Sequence, residues 1–517
     1  MVMVSSGLRN LAETEWAILV ATAKDNEPRV EETDDFMTLL REVSRSGINV
    51  DGTLNATNNS HAKEEFLVNY ALRRPRNEYD RLSGRKASDN LCEIRVLRRK
   101  IRSANISRKE YALLEIVLDE NEKKNKFVLA NYLYNGLVGN TFGKMPALDN
   151  DNDGFVDYDP ILREKIARAK ELHYAANVEL YGEISDETFW SLIDEKIENI
   201  GDNIDYYKNR GKYQVPDQNF VEYKDLGEAE TEYEELLALV GPRASATYER
   251  YQPRRSTVEK FSALIQEFFE PIFRHIPSGQ DRFTSEEAAR ITNEIIDFEL
   301  RDATEYRAEV APSRAFAVVE HGKKRIYFPG NTNEAYTREK LTAILAHEFG
   351  AHVLRSLAFE EQPVEPFREA LPGNTAFDEG LAKILEQVTL GKFDRFAGAT
   401  SYIAIGLATI LHYDFRRVFE IMWRMEKLTG GMSRSRVFDK TQRAFRGTGV
   451  LPNNKDLAYY QGTEKVWHYI EKNIDNPHLL ENLFLSGKVD LTNPKEEWLA
   501  YEMRKGGLKQ KFARDWD

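Results

Sequence analysis

Apolar residues recur every three or four positions along most of this 517-residue chain, and only between Ala315 and Phe328 do they give way to short strand-like runs. The first period is that of a helix with one face turned inward, the second that of a pleated strand. The chain is therefore held to a mainly α fold with a small β hairpin or sheet, α+β in class. Helical periodicity is expected from Ser60, over Leu91 to Ala104, Ser107 to about Asn135, Ile161 to Tyr181, Ser185 to Ile200, Thr257 to His275 and Thr284 to about Arg301, and again from Thr337 to the end. Ser107 with Glu110, and Thr284 with Glu287, have the spacing of capping boxes. Ala315 to Glu320 and Lys324 to Phe328 read as two strands around a turn at His321 and Gly322. Periodicity fails near Gly139 to Pro160, and an acidic connector is expected over roughly Asn203 to Glu232. Three regions follow: a peripheral segment 1–55, a helical region 56–245 containing the Asp-rich loop 149–159, and a catalytic region 246–517.

Composition removes several classes of function. A content of 41% hydrophobic and 30% charged residues belongs to a globular chain. The longest apolar run near the start, Trp16 to Ala23, falls well short of the roughly 18 residues of a membrane span, so no membrane partner and no signal peptide are expected. Cys92 is the single cysteine, which excludes intrachain disulfides and cysteine-rich metal sites and fits a cytoplasmic setting. A net charge of −13 argues against a nucleic-acid partner.

The run Leu345-Ala346-His347-Glu348-Phe349-Gly350-Ala351-His352-Val353-Leu354 carries the chemistry. Histidines four apart on a regular helix lie about 40° from each other, whereas five apart they lie about 140° from each other, too far for one ion. The spacing of His347 and His352 therefore requires a π-bulge between them, which the small residues Gly350 and Ala351 make easy. Thr337 is the expected N-cap. A catalytic zinc needs a third protein ligand, and Glu379 in Asp378-Glu379-Gly380-Leu381-Ala382 is the candidate, after a Pro-rich loop that lets the chain fold back. Asp378 reads as an imidazole partner or a helix cap, and Glu386 as a weaker candidate for ligand or imidazole-orienting carboxylate. Glu348 is expected to be the catalytic base that takes the proton of the attacking water.

These residues carry a resemblance. HEFGAHVLRS at 347–356, FDEGLA at 377–382 and QRAFRGTGVLPNNKDLAYYQG at 442–462 resemble, in that order, the family of microtubule-associated tyrosine carboxypeptidases and bacterial QEGLA-motif proteins. Weaker similarity begins near Asn55 to Asp80, so that the resemblance spans about 55–490 and is tightest over 324–390. It implies a zinc carboxypeptidase with a gluzincin-like core, ligands His347, His352 and Glu379, and catalytic Glu348. The chain departs from the pattern at Asp378, where bacterial relatives carry Gln, and in an insertion-like segment near 145–160. Specificity for tubulin is not implied.

The substrate expected is a peptide or protein carboxyl terminus. Its carboxylate calls for a cation, for which Arg446 is the first candidate with Arg443 behind it, while Tyr459 and Tyr460 are candidate catalytic donors to an oxyanion. The strand Lys324 to Phe328 is a candidate edge for an extended peptide. An endopeptidase or aminopeptidase, and a non-catalytic regulatory protein stabilised by metal, are the alternative functions. Asp149, Asp151, Asp153 and Asp157 follow the first half of a calcium loop, but position twelve is Pro160 rather than Glu, so the segment reads either as a Ca2+ site or as a solvated acidic turn. His173, His275, His412 and His468 read as structural or surface histidines.

Overall fold

The computed structural model describes residues 78–103, 108–144, 160–210, 221–241, 251–300, 304–312, 317–330, 336–360, 371–391, 393–394 and 397–505. The segment 1–55, the stretch from Ser60, the Ser107 cap and the acidic loop with Asp149, Asp151, Asp153 and Asp157 lie outside the described residues.

Five helices make up the amino-terminal part: α1 (Glu78–Ser103), α2 (Arg108–Lys144), α3 (Pro160–Tyr181), α4 (Asp186–Asn209) and α5 (Leu226–Val240). Helices α4 and α5 take up both ends of the stretch expected as a connector. Their starts are local: Ser185 accepts from the Thr188 N–H and Asp225 from the Glu228 N–H, so each polar side chain satisfies a donor that the first turn would leave free. Next come α6 (Arg255–Phe268), a single turn over Glu270–Phe273, and α7 (Ser285–Ile295), opened by the Thr284/Glu287 capping box.

Five short strands follow the same part of the chain: β1 (Arg282–Phe283), β2 (Arg307–Ala311), β3 (Val318–Glu320), β4 (Arg325–Pro329) and β5 (Tyr336–Thr337). Across a 3-10 turn at His321–Lys323, β3 and β4 pair antiparallel, with Val318 opposite Tyr327. The expected hairpin is there. On its other side β4 pairs with β2 in parallel, Arg307 opposite Arg325, giving the order β2-β4-β3. This corrects the expectation for Lys324 to Phe328: β4 has a neighbour on each side, and the outer strand beside the histidine helix is β3.

Beyond the sheet the structure is helical. Thr337 accepts from the Lys340 N–H and opens α8 (Arg338–Ile344), which runs into a π-helix over Leu345–Leu354 and then α9 (Arg355–Glu360). The remaining helices are α10 (Thr375–Thr389), α11 (Ala399–Thr409), α12 (Phe415–Thr429), α13 (Arg434–Ala444), α14 (Leu457–Asn473), α15 (Leu479–Leu485) and α16 (Pro494–Lys505). Among the described residues, no helix is long and apolar enough to cross a membrane.

Two large apolar cores organise these helices. One joins α1 and α2 to the sheet, the π-helix, α10, α14 and α15 through Leu97, Phe269, Phe328, Phe349, Leu385 and Trp467. The other joins α4 and α5 to α11, α12 and α13 through Phe189, Leu236, Tyr402 and Met422. Each fully buried large side chain contributes roughly 1.5–3 kcal/mol, so the π-helix is pinned by packing that offsets its poorer backbone geometry. Gly350 is part of that packing. A Cβ there would lie 2.6 Å from Phe269 Cζ and 3.1 Å from Cε1, so this glycine admits an aromatic ring as well as easing the bulge.

Candidate metal centre

The π-helix brings together what an α-helix would separate. The rings of His347 and His352 lie 5.1 Å apart between centroids at 71° to each other. His347, Glu348 and His352 each offer a ligand atom, and these atoms lie within 4.8 Å of one another. Glu379 approaches from α10 on the His352 side, its Oε2 4.0 Å from His352 Nε2, while Glu348 Oε1 is 3.8 Å from His347 Nε2. Ligands of one zinc ion at the usual 2.0–2.2 Å lie up to about 4 Å apart, so both separations suit atoms facing each other across a metal ion. Among the described residues, His347, Glu348 and His352 are the cluster with metal-binding spacing.

The other ring nitrogens face carboxylates. Nδ1 of His347 lies 2.6 Å from Glu386 Oε1, and Nδ1 of His352 lies 3.3 Å from Asp378 Oδ2. A carboxylate behind each imidazole fixes its orientation and leaves Nε2 for the ion. Glu386 thus stands behind His347, and Asp378 lies in the first turn of α10, whose N-cap is Asn374. Burial opposes a proton on His347, but Glu348 and Glu386 together outweigh it and raise the ring's pKa. Burial likewise opposes ionisation of Glu386, but contact with His347 and with Lys383, at 2.8 Å, brings its pKa down to about 2. The carboxylates around the two rings favour a cation, and the nitrogen and oxygen donors are of the kind that hold a divalent ion.

Behind His352 is a buried network that sequence reasoning missed. Asp378 is 5% exposed and takes a 2.6 Å contact from Lys488 Nζ and a 2.5 Å contact from Arg355 Nη1. Burial disfavours its charge, yet Lys488 and Arg355 hold its pKa well below the usual carboxylate range. Lys488 also donates to His321 Nε2 at 2.9 Å, and the other ring nitrogen of His321 meets the Tyr306 hydroxyl at 2.7 Å. Arg355 ties this assembly to the loop after α15 by donating to the carbonyls of Gly487 and Val489. In this way the tip of the β3-β4 hairpin and the loop before α16 fix the rear of the site. Residues 110 and 167 positions apart meet there, a pairing that leaves no periodic signal.

The candidates for substrate binding form a second group. Arg443 Nε lies 2.6 Å from Asp456 Oδ2 and Arg446 Nη2 2.9 Å from Asp456 Oδ1, so both arginines are held by one buried carboxylate. Arg443 Nη2 also donates to the Tyr459 hydroxyl at 3.0 Å. Burial first, then the charge of Glu379, raises the Tyr459 pKa. Tyr460, next along α14, points elsewhere and packs on Tyr402 at 5.1 Å in the second core. Of the other histidines, His173 is buried against Phe127, His275 contacts Glu299 at 2.8 Å and His468 stacks on Tyr251 at 3.8 Å. His412 has a left-handed backbone at φ 55°.

In this mainly helical α+β protein, two imidazoles and Glu348 on the π-helix lie close enough together that they could hold one metal ion. The comparison with known families is narrower. Residues 274–511, somewhat under half of the chain, match the family model described as microtubule-associated tyrosine carboxypeptidase. The matched span holds His347, Glu348, His352, Glu379 and the Arg443–Tyr459 group. The family so described implies a peptidase activity of carboxypeptidase type, with a peptide or protein as substrate. No curated protein and no solved structure matches the chain.

Proposed function

We propose that the chain is a zinc-dependent carboxypeptidase with a gluzincin-like core, in which His347, His352 and Glu379 hold the ion and Glu348 is the general base. The observation that carries this reading is the approach of both Nε2 atoms to carboxylates at 3.8 and 4.0 Å, with a carboxylate also at each Nδ1. Bound zinc would polarise water and the substrate carbonyl, the Lewis-acid part of the chemistry. Glu348 takes the proton released as water attacks, and returns it to the leaving amine. Tyr459, kept protonated by its raised pKa, donates its hydroxyl hydrogen to the oxygen that gains charge while Arg443 donates to the same phenol from behind. Arg446 and Arg443, oriented by Asp456, give the cleft the positive wall that a terminal carboxylate requires. Tyr460 has no part in this reading. The outer edge of β3 supports an extended substrate over the π-helix.

One observation favours a second assignment of the same groups. Glu348 completes the tightest cluster with the two histidines, so it is the alternative third ligand, with Glu379 as base. Incubating purified protein with peptides varied at the carboxyl terminus, and comparing wild type with Glu348→Gln by mass spectrometry, tests the activity. Loss of one terminal residue by wild type alone supports it, and cleavage at internal bonds or an equally active variant rejects it. Zinc retained by Glu348→Gln but lost from Glu379→Ala supports the first assignment.

A further inference from the structure

Three cations line the wall beside Tyr459, and their charges do not balance. Arg443 and Arg446 both pair with Asp456, which is 2% exposed. Lys440, one turn before Arg443 on α13, has no ion pair or hydrogen bond among the described residues; its Nζ lies over the Tyr459 ring, 6.0 Å from the centroid. The acidic groups that act on this cluster are Asp456 and the exposed, neighbouring Asp439. Three positive charges against two negative leave one positive charge over. An enclosed ammonium above an aromatic ring, with its neighbours already committed, is suited to one incoming anion.

We infer that Lys440 makes the direct ionic contact with the substrate's terminal carboxylate, while Arg443 and Arg446 are positioning residues locked by Asp456. This inference rests on the carboxypeptidase reading and deepens it by naming the group that makes the enzyme select free carboxyl termini. Three observations support it. Lys440 and Arg443 both lie over the face of Tyr459, at 6.0 and 5.3 Å, on the side of α14 that faces α13. Gly380, next to Glu379, packs against the backbone of Gly462 and Thr463, one turn along α14 from Tyr459, so this wall borders the helix that carries Glu379. Finally, burial and then the repulsion of Arg443 lower the Lys440 pKa to about 8, so the free enzyme holds an ammonium that gains from an anion's arrival.

The test uses the full chain and one pool of octapeptides, made both as free acids and as carboxyl-terminal amides. Wild type is expected to cut the acids and largely spare the amides. In Lys440→Met, kcat/KM for the acids should fall roughly 10- to 100-fold, mostly through KM, the loss that accompanies removal of a charged hydrogen bond. Residual turnover of amides should stay unchanged, and Lys440→Arg should recover much of the acid turnover. Lys440→Gln carries the same comparison without placing an apolar chain at the site. If Lys440→Met and Lys440→Gln keep the wild-type preference for acids, the role of Lys440 is overturned while the carboxypeptidase reading stands. If zinc-loaded wild type cuts neither series, the carboxypeptidase reading itself fails.

Discussion

Adding one methyl group to Gly380 should disable the site without touching a proposed ligand. This glycine lies where α10 crosses α14, opposite Gly462. A Cβ built on Gly380 would lie 2.8 Å from Thr463 N and closer still to the carbonyl of Gly462, and one built on Gly462 would strike the carbonyl of Ala376. These are backbone atoms of packed helices, so no side chain can rotate away. Restoring the Thr463 contact to about 3.5 Å, where carbon contacts become attractive, moves α10 by about 0.7 Å, and clearing the Gly462 carbonyl moves it further. Overpacking of this kind costs about 1–3 kcal/mol, and the backbone collision puts Gly380→Ala at the upper end. The displaced helix carries Glu379, Asp378 and Glu386, and a shift near 1 Å costs on the order of 100-fold in a site that depends on position. Denaturant unfolding, competition for zinc with a chromophoric chelator and peptide turnover measure the three effects. Gly279→Ala is the control, since nothing lies within 4 Å of a Cβ there. The reasoning is refuted if Gly380→Ala unfolds at the wild-type midpoint and keeps zinc affinity within twofold.

Other perturbations follow from the same contacts. Lys488→Met removes one of two cations from the buried Asp378 and the donor to His321, and should destabilise the protein by about 3 kcal/mol, read by denaturant unfolding, while weakening zinc binding. Glu496 is buried near Glu120, and burial first, then that charge, raises its pKa from 4.5 to about 8. Its folded pKa is the higher one, so its contribution to stability is complete below about pH 4.5 and is lost as pH rises to about 8; Glu496→Gln should flatten the stability–pH curve across that window. Gly136, inside α2, has nothing within 4 Å of a built Cβ, so Gly136→Ala should raise unfolding stability by about 0.5–1 kcal/mol.

Local chemistry made some of this architecture legible in the sequence. The five-residue spacing of His347 and His352 demanded a π-turn, because a regular helix cannot aim both rings at one point, and the π-helix spans Leu345–Leu354. Thr284 with Glu287, Thr337, and the turn at His321 likewise declared themselves through side chains that act within a few residues. What stayed hidden depends on distant partners. Arg307–Ala311 is a five-residue segment that becomes a strand by pairing with β4. Lys488 and His321 look like ordinary surface residues until the fold brings them behind Asp378. Nothing in the sequence distinguishes Lys440 from the arginines after it. The surplus charge there emerges once Asp456 is seen to hold both arginines.

The central claim is that two imidazoles from the π-helix and the Glu379 carboxylate from α10 share one divalent ion. Elemental analysis of protein dialysed against trace zinc tests it directly, for wild type, His352→Ala, Glu379→Ala and Glu348→Gln. Wild type and Glu348→Gln should each retain one zinc per chain, and His352→Ala and Glu379→Ala should retain none. A wild-type chain that binds no zinc, or a Glu379→Ala variant that holds it as firmly as wild type, would contradict the claim.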